Sequence, residues 1–135
     1  MYSISGGDFN NAGRVSTAIK NTLKSLGVPA MVVRRVAIVT YEAEMNIVMY
    51  AHRGRMILKV DPQTVTLDAE DEGPGIENIP QALQEGYSTA TAEMREMGFG
   101  AGMGLPNMMR NADVFNITSE VGRGTRVHIQ VKQAA

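Results

Sequence analysis

The chain contains no cysteine and no tryptophan. Without cysteine there are no disulfides, thiolate nucleophiles or cysteine zinc sites, and the composition suits a reducing compartment, so a cytoplasmic location is expected. No apolar run approaches the roughly 20 residues that a membrane-spanning helix needs. The opening MYSISGGDFN lacks the basic-then-apolar order of a secretion signal. A formal net charge of −1 leaves no basic footprint, so neither nucleic acid nor an anionic membrane is expected as a partner. No GK[ST] occurs, which removes a Walker lysine. The main glycine-rich stretch does not follow an early strand of a βαβ unit, which argues against a Rossmann dinucleotide site.

What remains is 135 residues, 44% hydrophobic and 20% charged, enough for one compact domain over 1–135 with a core that needs no staples. No repeat, low-complexity tract or linker divides it. Ten methionines, several of them between Met94 and Met109, read as adaptable core filler. An amphipathic helix is predicted from about Phe9 to Leu26, with Val15, Ala18, Ile19, Leu23 and Leu26 on one side, ended by Gly27 and Pro29. A second helix is predicted from about Ala30 to Ala51. Strands are predicted at Arg55 to Val60 and Thr64 to Asp71, joined by Asp61-Pro62-Gln63. Gly73 to Gly104 reads as a long irregular segment with a short helix near Pro80 to Gln84, the kind of segment that usually serves as a lid or binding loop. Pro106 fits the first turn of a further helix, and strands follow near Val114 to Val121 and Thr125 to Val131. The order argues for an α+β two-layer domain with a largely antiparallel sheet.

Polar residues on apolar faces mark the candidate site. At about 100° per residue, Ile38, Val39, Met45 and Met49 lie within roughly 60° of Glu42 on the second helix, and Asn46 lies about 40° away. Two readings stand side by side: a satisfied core hydrogen bond, or a carboxylate that accepts a proton beside an amide oxygen that ligates a hard cation. Glu44 points to the opposite face and reads as solvated. Along the second strand Val65, Leu67, Ala69 and Asp71 share one parity, while Asp68, Glu70 and Glu72 point to water. Thr125 shares the inward parity of Val127, Ile129 and Val131. Glycines at 73, 75, 98, 100, 102 and 104 let backbone N–H groups approach an anion, and the helix start after Gly104 adds a favourable dipole.

Four stretches in order carry a resemblance: YEAEMN, DEGPGI, GFGAGMGLPN and GRGT. From about Val36 to Ile129 the chain resembles the GHKL ATPases, which include histidine-kinase catalytic domains, gyrase-type ATPases and anti-sigma-factor serine kinases. AEDEGPGI, EGYST and GAGMGLPNMMRNAD look most like the small bacterial serine/threonine switch kinases of the stressosome type. The resemblance implies a two-layer α/β sandwich of the Bergerat type, with a mostly antiparallel sheet covered by helices on one face. It implies ATP and Mg²⁺ as cofactors. Asn46 would ligate the metal, and Glu42 would orient or deprotonate the attacking hydroxyl. Asp71 would bind the adenine amino group, with Thr125 sharing an ordered water. Gly73 and Gly75 would pass close to the base; Gly100, Gly102 and Gly104 would cradle the phosphates; Tyr87, Ser88 and Thr89 would form the lid wall. Ile76, Ala101, Met103 and Leu105 complete the implied ATP contacts. The implied activity is a serine/threonine protein kinase and partner switch acting on a STAS-domain protein, with a sigma factor or phosphatase as alternative partner, and a homodimer as its assembly. A non-catalytic nucleotide-gated binding module and a detached histidine-kinase catalytic domain are the alternatives. Thr89 to Phe99 is longer than that subgroup leads one to expect, and Arg95 within it is either a phosphate contact or a solvated charge.

Overall fold

A computed structural model describes residues 1–86, 88, 90–92 and 104–133 of the chain. The predicted sites at Tyr87, Thr89, Gly100, Ala101, Gly102 and Met103, together with Arg95, lie outside the described residues. Strands β1 (Tyr2–Ser5), β2 (Arg53–Val60), β3 (Thr64–Glu72), β4 (Val114–Glu120) and β5 (Gly124–Lys132) form one sheet in the order β1-β2-β3-β5-β4, and every neighbouring pair is antiparallel. Helices α1 (Arg14–Ser25), α2 (Ala30–Tyr50) and α4 (Gly104–Asn111) pack together over the sheet, and a single turn, α3 (Ile79–Ala82), interrupts the segment after β3. The α+β architecture is the expected one.

Local chemistry sets most boundaries. The first helix is shorter than its pattern predicts: Phe9–Asn11 is a 3-10 turn, and Gly13, at φ 96°, breaks the chain before α1. Its far end is a Schellman turn, with Val28 N–H donating to Leu23 O and Gly27 N–H to Lys24 O, both at 3.1 Å. Leu26 therefore falls beyond the last helical turn and is 61% exposed, contrary to its expected place on the apolar side. Asp61 Oδ1 accepts from both Gln63 N and Thr64 N at 2.8 Å and fixes the β2–β3 turn. Asn78 caps α3 by accepting from Gln81 N–H at 3.0 Å.

The period-two pattern of β3 and β5 works as expected. Val65, Leu67, Ala69, Val127, Ile129 and Val131 are buried against the helices. Each fully buried Val, Leu or Ile among them contributes about 1.5–3 kcal/mol of transfer free energy. The opposite face is polar, but its acids are not simply solvated. Asp68 meets His128 Nδ1 at 2.6 Å, Glu70 pairs with Arg55 and Arg126, and exposed Glu72 pairs with Arg53. The antiparallel register places each base directly opposite or diagonal to its acid. Strand β1 was not expected. It is four residues long and buries only Ile4, too short for alternation to show.

Helix α2 lies between α1, α4 and the sheet, so it is buried on several sides. This corrects the reading of Glu44. Its carboxylate is 2% exposed and accepts from Gly13 N at 3.1 Å, Val15 N at 3.1 Å and Ser16 N at 2.9 Å. Helix α1 begins at a glycine cap with no acid in its first turn, so its free N–H groups take their acceptor from α2 instead. The face opposite Glu42 is not a solvent face but the docking face for α1.

Candidate functional site

A cavity of about 1080 Å³ opens between α2, the inner ends of β3 and β5, the Pro74–Ala82 segment and the start of α4. Its size is slightly above the usual range of about 300–1,000 Å³ for small-molecule sites. At one end stand Asp71 and Thr125, both half-buried and carried on adjacent strands with the predicted inward parity. Asp71 Oδ1 accepts the Thr125 backbone N–H at 3.2 Å. Burial raises the Asp71 carboxyl above the usual aspartate range, and the Thr125 N–H partly offsets this.

The first glycine segment is clamped beside this end by the β4–β5 turn. Gly73 N–H donates to Arg123 O at 3.2 Å, and Gly122 N–H donates to Pro74 O at 2.8 Å. Gly75 has φ 76°, and a Cβ there would come within 2.4 Å of Glu120 O, so the turn closes only over glycine. Gly75 and Ile76 line the cavity, whereas Gly73 is buried against Ala51 and is not among the lining residues.

At the other end Glu42 and Asn46 project from α2 toward the first residue of α4. A Cβ added to Gly104 would lie 3.1 Å from Glu42 Oε2 and 3.4 Å from Asn46 Oδ1. The one-turn spacing on α2 and the glycine at the start of α4 thus bring a carboxylate, an amide oxygen and a helix N-terminus together. Leu105 and Ser88 also line the cavity. Burial raises the Glu42 carboxyl above the ordinary glutamate value, and a hydrogen bond from Asn107 Nδ2 to Oε1 at 3.4 Å partly lowers it. The carboxylate is therefore more basic than a solvated one, which suits a proton acceptor.

Of the two readings of the Glu42–Asn46 pair, the arrangement departs from a closed core hydrogen bond: both residues are half-exposed to the cavity. Two participants went unassigned in the sequence. Asn107 sits in the quoted GLPN stretch, one turn from Gly104. Ser119 pairs in register with Thr125 and so shares its inward parity. Register alone would have found Ser119 once β4 and β5 were paired. Among the described residues no cluster of three acid, histidine or cysteine side chains forms a metal cage.

The pKa direction at Glu42 has a consequence for stability. Its folded value exceeds the unfolded one, so its stabilising contribution is complete below the unfolded value and is lost as pH rises through the folded value. Glu42→Gln is expected to melt higher than the parent at neutral pH, with the difference shrinking as pH falls into the ordinary glutamate range. Thermal melts across that interval check it; a Gln variant less stable at pH 7 than at pH 4, relative to the parent, would contradict the burial argument.

Comparison with known proteins bears on this geometry. The sequence profile described as histidine kinase-, DNA gyrase B-, and HSP90-like ATPase matches residues 31–135. The serine/threonine-protein kinase RsbT of Bacillus subtilis is 30% identical over 112 residues, 80% of this chain and 78% of the relative. An anti-sigma F factor of Thermoanaerobacter sp. is 31% identical over 93 residues, 65% of this chain and 62% of the relative. An anti-sigma F factor of Clostridium acetobutylicum is 30% identical over 98 residues, 69% and 65% of the two chains. Among solved structures, a mycobacterial sensor histidine kinase, MprB, aligns with a TM-score of 0.54 at 17% identity, covering 74% of this chain and 71% of that one, a likeness of fold.

Proposed function

The chain belongs to the histidine kinase-, DNA gyrase B- and HSP90-like ATPase family, and from that premise we propose that it is an ATP-dependent serine/threonine protein kinase and partner switch acting on a STAS-domain protein. The observation that carries this reading is the convergence of Glu42, Asn46 and Gly104 at one end of a cavity whose other end holds Asp71 and Thr125. The two ends suit the two ends of ATP. Relatives named as a serine/threonine-protein kinase and as anti-sigma factors support the activity and the partner class.

In this reading Asp71 and Thr125 take the adenine edge, and Gly75 and Ile76 pass beside the base. The triphosphate would lie toward the N-terminus of α4, whose dipole favours anionic oxygens. The hard amide oxygen Asn46 Oδ1 would hold a Mg²⁺ ion beside the phosphates. Bound there, the ion would neutralise phosphate charge. The γ-phosphoryl group passes from ATP to a serine or threonine oxygen, the hydroxyl proton goes to the Glu42 carboxylate, and ADP leaves. Positioning and charge stabilisation carry most of such a reaction.

The test uses purified chain, labelled ATP with Mg²⁺, and a STAS-domain protein encoded beside it. Phosphoserine or phosphothreonine should accumulate on that protein. Glu42→Ala should leave the ATP Kd within about threefold and cut transfer by roughly 10²–10⁴. Equal transfer by variant and parent would remove Glu42 from the chemistry. ATP binding with no transfer to such proteins would instead favour a nucleotide-gated binding module.

A further inference from the structure

The near-neutral net charge conceals an uneven distribution. From Phe9 to Tyr41 the sequence holds five of its 13 basic side chains and none of its 14 acidic ones. That stretch builds α1 and the first half of α2, which pack against each other. Arg35 pairs with Asp113, and farther along Arg53, Arg55, Arg110, Arg123 and Arg126 pair with glutamates. Arg14 is turned back to Ser3 O at 3.1 Å. Among the described residues, Lys20, Lys24 and Arg34 are exposed and make no ion pair.

Apolar exposure falls on the same face. Met31, Arg34, Ile38 and Tyr41 follow steps of three and four residues and so form one stripe along α2, about 15 Å long. Met31 is 79% exposed, Tyr41 42%, and Ile38 is partly exposed. The stripe lies between the side of α2 that docks α1, marked by Glu44, and the side that meets α4, marked by Glu42 and Arg35. It ends at Tyr41, which lines the cavity beside Glu42. A protein kinase must bring a folded partner's hydroxyl to that point. A standard interface covers about 800 Å² of each partner, a disc roughly 16 Å in radius, which from the Glu42 end takes in the stripe. Tyrosine and arginine are the types that anchor interfaces, and unpaired bases steer an acidic partner onto them.

We propose that Met31, Arg34, Ile38 and Tyr41 of α2, together with Lys20 and Lys24 of α1, are the docking surface for the phosphoacceptor protein. The surface selects a protein whose acceptor hydroxyl is bordered by apolar and acidic side chains. This rests on the kinase reading above.

The experiment measures the Kd of the neighbouring STAS-domain protein in the presence of a non-hydrolysable ATP analogue, and separately kcat/KM for transfer to it. Arg34→Glu should weaken partner binding about tenfold, leave the ATP Kd within about twofold and keep the parental Tm. Met31→Ser should weaken binding about threefold. Lys20→Glu combined with Lys24→Glu should flatten the salt dependence of the on-rate. Lys59→Glu makes the same charge change at an exposed position of β2 and should leave all these readings parental. Arg34→Glu binding no worse than Lys59→Glu overturns the surface. So does a loss that tracks the chain's own oligomeric state in sedimentation, which makes the stripe a self-association face. Binding to phosphatidylserine vesicles that Arg34→Glu abolishes, with partner binding intact, overturns it in favour of a membrane. A parent that binds the partner through the stripe yet transfers no phosphate sinks the kinase reading alone, and a parent with no affinity for the partner sinks both.

Discussion

Asp71→Asn is expected to weaken ATP binding by roughly 10²-fold, while Glu72→Gln, one residue away, leaves it within about twofold. The pair isolates side-chain direction from local charge, since both changes remove one negative charge from the same acidic stretch. Asp71 is half-buried at the cavity end and turns both carboxylate oxygens toward acceptor roles, one already engaged by Thr125 N–H. An asparagine there must offer an NH₂ group to one of those positions, which sets donor against donor at the Thr125 amide or at the ligand's amino group. A buried hydrogen-bond mismatch of this kind discriminates strongly, because the unpaired group has no water to turn to. Glu72 is exposed on the outer face of the sheet and pairs with Arg53. Titration calorimetry with an ATP analogue measures both. Comparable losses in the two variants would mean that the acidic cluster acts through its field, and the assignment of adenine to Asp71 would fall. The burial that makes Asp71 selective also raises its carboxyl, so binding should weaken as pH falls toward that raised value, earlier than for an ordinary aspartate.

The same stretch shows why some of this site was legible before any coordinates. Alternation along a strand has a period of two, so Val65, Leu67 and Ala69 fixed the direction of Asp71 without knowledge of the partners. The α2 pair was legible because one helical turn places Glu42 and Asn46 together whatever surrounds them. What surrounds them was not. Periodicity says which residues share a face, but not whether the other face meets water or another helix. Glu44 faces another helix rather than water for that reason, and Leu26 leaves the apolar side because a Schellman turn ends α1 one residue before its apolar pattern does. Ser119 and Asn107 belong to the same class: their partners are 43 and 65 residues away, and such contacts appear only when the hairpin and the helix have been docked. Strand β1 needed its neighbour too, since one buried side chain gives no pattern.

Glu44 carries the second large expectation. Glu44→Ala should cost about 3 kcal/mol of folding stability, which for a chain of this size is roughly 10 °C in Tm. The carboxylate gathers three backbone N–H groups at the start of α1, two of the contacts buried. Removing it leaves those donors without their acceptor, and two of the three contacts are buried, so the loss exceeds that of an exposed cap. Glu44→Gln should recover part of it, because one amide oxygen still accepts, but its NH₂ faces the same N–H groups. Denaturant melts with and without ATP separate the effects: the variants should unfold earlier yet bind ATP near the parental Kd well below their midpoints, since Glu44 lies on the side of α2 away from the cavity. A loss below about 1 kcal/mol for Glu44→Ala would show that α1 finds its cap elsewhere. Set against Glu42→Gln, which is expected to raise stability at neutral pH, the result would give two carboxylates on one helix opposite signs. Glu44 sits among three backbone donors that match it, and holds α1 in place. Glu42 is half-buried with, among the described residues, one long hydrogen bond, at a cost to the fold that leaves it basic enough to take a proton.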